Sequence, residues 1–208
     1  MRVTAETKHA TRRRILEVAR RQFARQGFEA TTTRDIARGA NIAVGTLFNY
    51  FPTKESIVEC LVRAAWAEAA AALGAGPVPG DALSLEEELF AHLAAVLRKL
   101  KPYRQYLPAV LDTAFSPVAL GSADGQPLRA AHLETVSRIV SRHGHHDALS
   151  AVALQLYWTL VTGALAFWAG DSSPRQEDTL ALLDQSLAMF TGWLVNQARD
   201  PGPQNEGG

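Results

Sequence analysis

The chain has 208 residues, of which 47% are hydrophobic and 20% charged, and its 21 basic side chains balance its 21 acidic ones. This composition supports a packed core and excludes an intrinsically disordered chain. A single cysteine, Cys60, excludes an intramolecular disulfide framework and a zinc ribbon, and it favours the reducing cytoplasm as the location.

Charge is unevenly distributed along the chain. Residues 1–56 hold 11 of the basic and 5 of the acidic side chains, a surplus of +6, so the remainder carries −6. A basic first quarter on an acidic body indicates a polyanionic partner at the N-terminus. A solvated, arginine-rich helix face is the alternative interpretation, since basic helices also serve membranes and partner proteins.

Apolar residues recur at helical spacing, and sustained two-residue alternation is absent, so the sequence predicts an all-α fold of about nine helices. Thr32 and Ser84, each followed three positions later by an acidic residue, are predicted helix starts, as is Ser173 before Pro174. The predicted helices are three short ones within 7–50, then 53–73, 85–100, 103–114, 127–142, 147–169 and 174–198. We expect a helix-turn-helix domain over 1–52, a larger helical domain over 53–199 and a disordered tail over 200–208.

The first three predicted helices form a basic unit. Gly27 ends the first helix, and Asn41 lies in the tight turn between the second and third because asparagine tolerates a positive φ. Two short helices joined by a tight turn make a helix-turn-helix, whose second helix enters the DNA major groove. The small residues at the start of that helix would let the backbone approach the bases.

An uninterrupted series of motifs extends from residue 12 to residue 57. They are Ile15-Leu16, Phe23, Gly27-Phe28, Thr31-Thr32-Thr33, Ile36-Ala37, Gly45-Thr46-Leu47-Phe48, Tyr50-Phe51, Lys54-Glu55 and Ile57. In this spacing the segment resembles the DNA-binding segment of the tetracycline-repressor (TetR) family of bacterial transcription regulators. The resemblance implies a long fourth helix followed by a helical domain for ligand binding and dimerisation, with no enzymatic activity and no cofactor.

The same resemblance implies particular DNA contacts. Phosphates would be bound by Thr33, Arg34, Tyr50 and Lys54, base edges would face Val44, Gly45 and Thr46, and Asn49 could reach either. Two residues depart from the family pattern. Ala43 lacks the hydroxyl that often caps the third helix, a cap worth about 1 kcal/mol. Phe48 stands where tyrosine is common, so it would pack on sugars or a thymine methyl, or support the core.

The resemblance further implies an effector pocket among the middle helices. An apolar cavity with a few placed polar groups suits a small, mostly apolar organic ligand. The candidate lining residues are Trp66, Phe90, His92, Tyr103, Tyr106, Phe115, Gln155, Trp158, Thr159 and Thr162. Ordinary core packing is an equal alternative for each of them.

The last two helices are expected to form a four-helix bundle with those of a second copy. The candidate interface residues are Ala153, Leu156, Leu160, Gly163, Phe167, Leu183, Leu187, Phe190 and Leu194. A dimer would place two recognition helices about one DNA turn apart on a palindromic operator, and a ligand that alters this spacing would release the DNA. We therefore expect a cytoplasmic, ligand-responsive repressor, with a same-fold activator or an effector-independent DNA binder left open.

Two other classes of protein are rivals. His143, His145, His146 and Asp147 could form the metal site of an enzyme, although no Walker loop, nucleophile elbow or dinucleotide fingerprint is present. The uncharged stretch 148–170 has the length of a membrane span. The polar stripe of Gln155, Thr159 and Thr162 and the lack of flanking positive clusters favour a buried helix of a soluble protein instead. The first residues contain no apolar segment of the kind found in secretory signals, so none is expected.

Overall fold

The computed structural model describes residues 5–73, 83–108 and 126–199, which form eight α-helices and no strand. The helices are α1 Ala5–Gln26, α2 Thr33–Gly39, α3 Val44–Tyr50, α4 Lys54–Leu73, α5 Leu85–Leu100, α6 Gln126–Arg142, α7 Ala151–Gly170 and α8 Glu177–Arg199. Short 3-10 turns occupy Lys101–Tyr106, His146–Ala148 and Pro174–Gln176. The predicted all-α fold is confirmed. The predicted tail over 200–208, the later part of the helix predicted over 103–114, and Phe115 lie outside the described residues.

The N-terminal unit consists of α1, α2 and α3, with α4 packed against α1. Its centre is formed by the fully buried side chains of Ile15, Ile36 and Leu47. Burying each of these side chains stabilises the unit by about 1.5–3 kcal/mol. α1 is longer than predicted, at 22 residues, because its basic face remains in solvent while one apolar stripe packs inward.

The larger unit is formed by α4 to α8. α4 packs against α5 and α6, and α8 packs against α5 and α7. Trp66, Leu89, Trp158 and Phe190 are buried at its centre. Burying a charged or unbonded polar group in such a core costs free energy, so polar groups enclosed there are expected to be neutral or hydrogen-bonded.

Several helix boundaries differ from the prediction because local hydrogen bonds end or delay the helix. α7 begins at Ala151, where the Ser150 hydroxyl accepts a hydrogen bond from the Ala153 amide at 3.1 Å. α8 begins at Glu177, since Arg175 and Gln176 adopt left-handed backbone angles with φ of 56° and 57°. The predicted capping boxes at Thr32 and Ser84 are confirmed.

One helix of the described part of the chain, α7, is long and apolar enough to cross a bilayer, with a mean hydropathy of 1.4. Length and composition alone do not separate a membrane span from the core helix of a folded domain. Tyr157, Trp158, Leu165 and Trp168 on α7 are buried within the protein itself. Their burial gives this helix a packing role in the larger unit.

Candidate nucleic-acid interface and ligand cavity

The turn between α2 and α3 is held by local hydrogen bonds. The Thr32 hydroxyl accepts from the Asp35 amide at 3.1 Å, while the Asp35 carboxylate accepts from the Thr32 amide at 3.2 Å. The Thr32 hydroxyl also donates to the Asp35 carboxylate at 2.5 Å, and this bond, together with the one from the Thr32 amide, lowers the pKa of Asp35 below its usual value. Asn41 has a φ of 53°, which confirms its predicted place in the turn.

α1 and α2 approach each other closely at Gly39. A Cβ atom at this position would lie 2.6 Å from Cγ1 of Val18, so only glycine allows the approach. The Gln22 amide also donates to the Asp35 carbonyl at 3.0 Å, which joins α1 to the middle of α2. These contacts fix the orientation of the helix-turn-helix on α1.

α3 presents an outward face formed by Gly45, Phe48 and Asn49, with Val44 and Thr46 half-buried beside it. A Cβ at Gly45 would meet no atom within 4 Å, so its backbone lies open to approach. The inward side of α3 is anchored by Leu47 and, just after the helix, by Phe51, as predicted for core residues.

Phe48 belongs to this outward face, and the sequence left open whether it would contact DNA or support the core. Its side chain is 46% exposed, so the alternative that it supports the core is wrong. An exposed aromatic ring on a recognition helix can pack against a thymine methyl group or a deoxyribose.

One predicted departure concerns the start of α3, and the predicted phosphate-binding residues lie near helix ends. Ala43 precedes α3 with extended backbone angles (φ −68°, ψ 148°) and makes no side-chain cap, as the sequence predicted. Tyr50, at the last position of α3, is half-buried, and Thr33 and Arg34 lie in the first turn of α2 with Arg34 exposed. The predicted phosphate-binding residues therefore lie at helix ends on both sides of the α3 face.

Lys54, which the sequence predicts to bind a phosphate, makes two contacts within the protein. Its ammonium donates to the Phe28 carbonyl at 2.7 Å and lies 3.9 Å from the centroid of the Phe28 ring. The side chain thus joins the start of α4 to the turn after α1, and this contact competes with the predicted phosphate contact. A partner 26 positions away in the sequence gave no local signal for this contact.

A cavity of about 390 Å³ lies between α4 and α6. This volume is within the range of about 300–1,000 Å³ that is typical of small-molecule sites. Apolar side chains, including Trp66 and Leu128, form most of its described lining, together with Cys60, Arg63 and His132.

Two buried histidines meet beside this cavity. Nε2 of His92 lies 3.2 Å from Nδ1 of His132, which also accepts from the Trp66 indole nitrogen at 3.2 Å. Burial lowers the pKa of His92 to about 4, although the charge of Glu88 acts in the opposite direction. Burial, and then the neighbouring His92, hold the pKa of His132 well below its ordinary value. Both rings are therefore neutral at pH 7.

The hydrogen bonds assign the protons of this pair. An indole nitrogen can only donate, so Nδ1 of His132 is an acceptor and the proton of the neutral ring lies on Nε2. His92 then donates from its own Nε2 and keeps Nδ1 as an acceptor. His132 Nε2, His92 Nδ1 and the Tyr157 hydroxyl are buried without a hydrogen-bond partner among the described residues. The cluster thus holds one unused donor, one unused acceptor and one hydroxyl.

The structure separates the residues predicted to line one pocket. Trp66 lines the α4–α6 cavity, and His92 and Trp158 are buried next to it. Tyr103 and Tyr106 instead line a cavity of about 210 Å³ against α1. The Tyr106 hydroxyl donates to the Phe23 carbonyl at 3.2 Å, so this tyrosine belongs to the junction between the two units.

The remaining predicted lining residues lie elsewhere. Thr159 is exposed, and its hydroxyl and that of Thr162 donate to carbonyls of their own helix. Gln155 accepts from Arg129 at 2.5 Å, and Phe90 is half-buried against the core. None of these four is among the described residues around the α4–α6 cavity, because α7 turns its polar stripe toward the outside.

The residues predicted for a dimer interface divide into two groups. The structure buries five of them inside the protomer's own core: Ala153, Leu183, Leu187, Phe190 and Leu194. These five cannot contact a second copy, and their prediction as interface residues is corrected. Leu156, Gly163 and Phe167 are exposed, and Leu160 is half-buried beside them. On the described part of α8 the exposed large apolar residues are others, Leu180, Leu182 and Met189.

The histidine-rich loop does not gather a ligand set. Nε2 of His143 lies 2.8 Å from a Glu88 carboxylate oxygen, and Nδ1 of His146 lies 3.2 Å from the Ser141 hydroxyl. Within residues 5–73, 83–108 and 126–199, no group of three or more histidine, cysteine, aspartate or glutamate side chains converges as a metal site would require.

Comparison with known proteins supports the assignment of the N-terminal unit. Residues 15–61 match the family of bacterial regulatory proteins of the TetR type. The HTH-type transcriptional repressor KstR2 of Mycobacterium tuberculosis is 46% identical over 55 residues, which are 26% of this chain and 28% of that protein. The HTH-type transcriptional regulator LuxR of Vibrio harveyi is 42% identical over 48 residues, 23% of each chain. The match thus spans only about a quarter of each relative.

Solved structures extend the likeness of the fold to most of the chain. A TetR transcriptional regulator from Rhodococcus sp. RHA1 superposes with a TM-score of 0.60 at 18% identity, covering 90% of this chain and 98% of its own. A TetR-family regulator from Streptomyces coelicolor gives a TM-score of 0.56 at 19% identity, covering 93% and 84%. Residues 15–61 thus match the TetR family of bacterial regulatory proteins in sequence, and most of the chain resembles TetR-family structures in fold.

Proposed function

We propose that the protein is a DNA-binding transcriptional regulator that acts as a homodimeric repressor and releases its operator when a small, mostly apolar effector binds. The observation that carries the proposal is the outward face of α3. It combines an open backbone at Gly45, an exposed amide at Asn49 and an exposed ring at Phe48, all on a helix anchored by Leu47. A helix with these properties suits insertion into a major groove.

The charge distribution supports a DNA partner. The surplus of +6 in residues 1–56 includes the exposed Arg12, Arg34 and Arg38. Phosphate contacts from such side chains fix the register on the duplex, whereas residues of the α3 face would read the bases. A regulator with this partner would act in the cytoplasm.

An uncharged outer face on α7 and α8 supports a dimer. On α7 it carries Leu156, Gly163 and Phe167, and on α8 it carries Leu182 and Met189. α7 and α8 pack against each other, so their outer faces can together contribute two helices to a four-helix bundle with a second copy. Such a dimer would hold two α3 helices for a palindromic operator.

The α4–α6 cavity supports an effector of defined chemistry. Its apolar lining suits an apolar body, and the unused donor on His132, which lines the cavity, would match a carbonyl or hydroxyl oxygen. Because α4 begins next to α3 and also lines the cavity, a ligand there can change the spacing between two recognition helices. Such coupling is typically about 1–3 kcal/mol.

The test is binding of the purified protein to fragments of its own upstream DNA, measured by anisotropy over a salt titration. We expect a specific complex on a palindrome, with the logarithm of the binding constant falling linearly with the logarithm of salt concentration. Thr46→Ala and Asn49→Ala should weaken the specific fragment more than an unrelated one, whereas Arg34→Gln should weaken both and reduce the salt slope by about one. Equal affinity for all fragments in every variant would contradict the proposal.

A further inference from the structure

A second cavity, of about 230 Å³, shares no described lining residue with the α4–α6 cavity. It is bounded by the last turn of α5, the end of α7 and the segment before α8. Three cationic side chains line it, Arg98, Lys101 and Arg175, and no acidic side chain is among the described residues around it. Trp168, Leu97 and Leu180 form its apolar wall.

These three cations have no ion-pair partner among the described residues. Lys99, between two of them in the sequence, has one, because its ammonium lies 3.6 Å from a Glu68 carboxylate oxygen. The free carbonyl groups at the C-terminal end of α7 are bonded by a different side chain. Arg104 donates to the carbonyls of Trp168, at 2.7 Å, and Asp171. Asp171 accepts hydrogen bonds from Thr179 and the Ser173 amide. The positive charge at the cavity is thus locally uncompensated.

The cluster stands out against the rest of the larger unit. Residues 57–208 carry a net charge of −6, so three converging cations do not reflect a general surplus of basic residues. Arg175 reaches the cavity from a backbone in the left-handed region, and the next residue, Gln176, lines the cavity from a second left-handed position. Non-glycine residues rarely adopt this conformation, and two in succession set the direction of the Arg175 side chain.

We propose that this cavity binds a small carboxylate with an aromatic or short aliphatic body. The carboxylate would accept hydrogen bonds from Arg98, Lys101 and Arg175, and the body would lie against Trp168 and Leu97. Arginine matches a carboxylate with two parallel hydrogen bonds, which favours a planar carboxylate over a spherical anion. The volume is below that typical of drug-sized ligands, so a single ring or a short chain fits.

The proposed site is connected to the N-terminal unit through the turn that begins at Lys101. Lys101 begins the 3-10 turn that ends at Tyr106, and Tyr106 contacts the Phe23 carbonyl of α1. A carboxylate bound to Lys101 would therefore be attached to the same turn that meets the N-terminal unit. This site is separate from the effector cavity of the proposed function and requires no DNA for its detection.

The experiment is calorimetric titration of the full-length protein, without DNA, with benzoate, hexanoate and inorganic phosphate at low ionic strength. We expect the two carboxylates to bind with dissociation constants below about 1 mM and to weaken with added salt, as exposed charges are screened. The Arg98→Gln/Arg175→Gln double variant should weaken benzoate about tenfold or more, since charge-assisted hydrogen bonds are lost. Lys99→Gln, which changes a neighbouring cation outside the cavity, should leave the affinity unchanged.

Thermal unfolding of the double variant and of Lys99→Gln provides the folding control, and because Arg98, Arg175 and Lys99 are exposed, we expect unchanged midpoints. Three results would overturn the proposal. They are an absence of carboxylate binding up to about 10 mM, an affinity equal in the double variant and the wild type, and phosphate binding as tightly as benzoate. Loss of benzoate binding in a His132→Phe variant but not in the double variant would likewise overturn it, by assigning the ligand to the other cavity.

Discussion

The ammonium of Lys54 lies 2.7 Å from the Phe28 carbonyl oxygen and 3.9 Å from the centre of the Phe28 ring. One side chain thus joins the first residue of α4 to the turn that follows α1. Phe28 is itself part of an aromatic cluster with Phe23 and Tyr106, whose ring centroids lie 5.4 Å from that of Phe28. Lys54 therefore lies where the helix-turn-helix unit meets the larger helical unit.

Replacing Lys54 with Met keeps the aliphatic stem and removes the charge. We expect the free energy of unfolding to fall by about 1–2 kcal/mol, because a half-buried, charge-assisted hydrogen bond and a cation–π contact are both lost. Urea denaturation followed by circular dichroism measures the change. Lys99→Met is the matched control, since its exposed ion pair contributes little. An unchanged stability together with a salt slope of DNA binding reduced by one would restore the phosphate role instead.

The uncapped start of α3 makes a gain of stability possible. Ala43 has the extended backbone of a helix cap but no side chain that can accept a hydrogen bond. Ala43→Ser should raise the free energy of unfolding by about 0.5–1 kcal/mol, whereas Thr32→Ala, which removes the cap of α2, should lower it by about 1 kcal/mol. Thermal and chemical unfolding compare the two variants. A decrease in stability on Ala43→Ser would contradict the geometry of this cap.

Phe48 and Leu47 are adjacent on α3, but Leu47 is buried and Phe48 is exposed. Phe48→Ala should change stability by less than about 0.5 kcal/mol, as exposed substitutions usually do, and should weaken binding to the specific operator. Leu47→Ala should cost about 2–5 kcal/mol of stability because its side chain is fully buried. Anisotropy with operator DNA, beside unfolding curves, separates the two effects. Full operator affinity in Phe48→Ala would remove this ring from the interface.

Gly163 offers a test of the proposed dimer. A Cβ there would meet no atom within 4 Å in the protomer, so Gly163→Arg is tolerated by the single chain and improves helix propensity. On the outer face of α7 the added charge would be buried in a dimer without a partner, so we expect a folded monomer. Sedimentation velocity measures the mass. Arg138→Ala, on the exposed side of α6, is the control. A dimer as stable as the wild type would place the interface elsewhere.

The buried histidines predict a pH dependence of stability. In the unfolded chain His92 and His132 take up protons near pH 6.5, but burial keeps both rings neutral in the folded protein to a lower pH. Since the unfolded state then binds more protons, stability falls as the pH is lowered from about 6.5 toward 4, by on the order of 1 kcal/mol per pH unit for each histidine. Denaturation at a series of pH values should give this slope.

The His92→Gln variant should have a shallower slope over the same pH range, because one of the two groups no longer titrates. His9→Gln, an exposed position on α1, should leave the slope as in the wild type. Wild-type stability that is constant between pH 6.5 and pH 4.5 would mean that neither ring resists protonation in the folded protein.

The amino-acid sequence by itself determined the features that depend on neighbours in the chain. The helix caps at Thr32 and Ser84 join residues three positions apart, the turn at Asn41 depends on one residue type, and the helix-turn-helix motif is complete within 46 residues. Local hydrogen bonds and helix periodicity operate over these distances, so pattern and composition suffice to predict them.

Only the tertiary structure decided which faces of the last two helices are buried. α7 has apolar residues all round, so periodicity gives no contrast between Ala153, which packs inward, and Leu156, which is exposed. Contacts between distant segments could not be predicted from the sequence either. The contacting residues are 26 positions apart for Lys54 and Phe28, 40 for His92 and His132, and 66 for Trp66 and His132. Such pairs are brought together by the packing of whole helices, which depends on the sum of many side-chain contacts and not on any local motif.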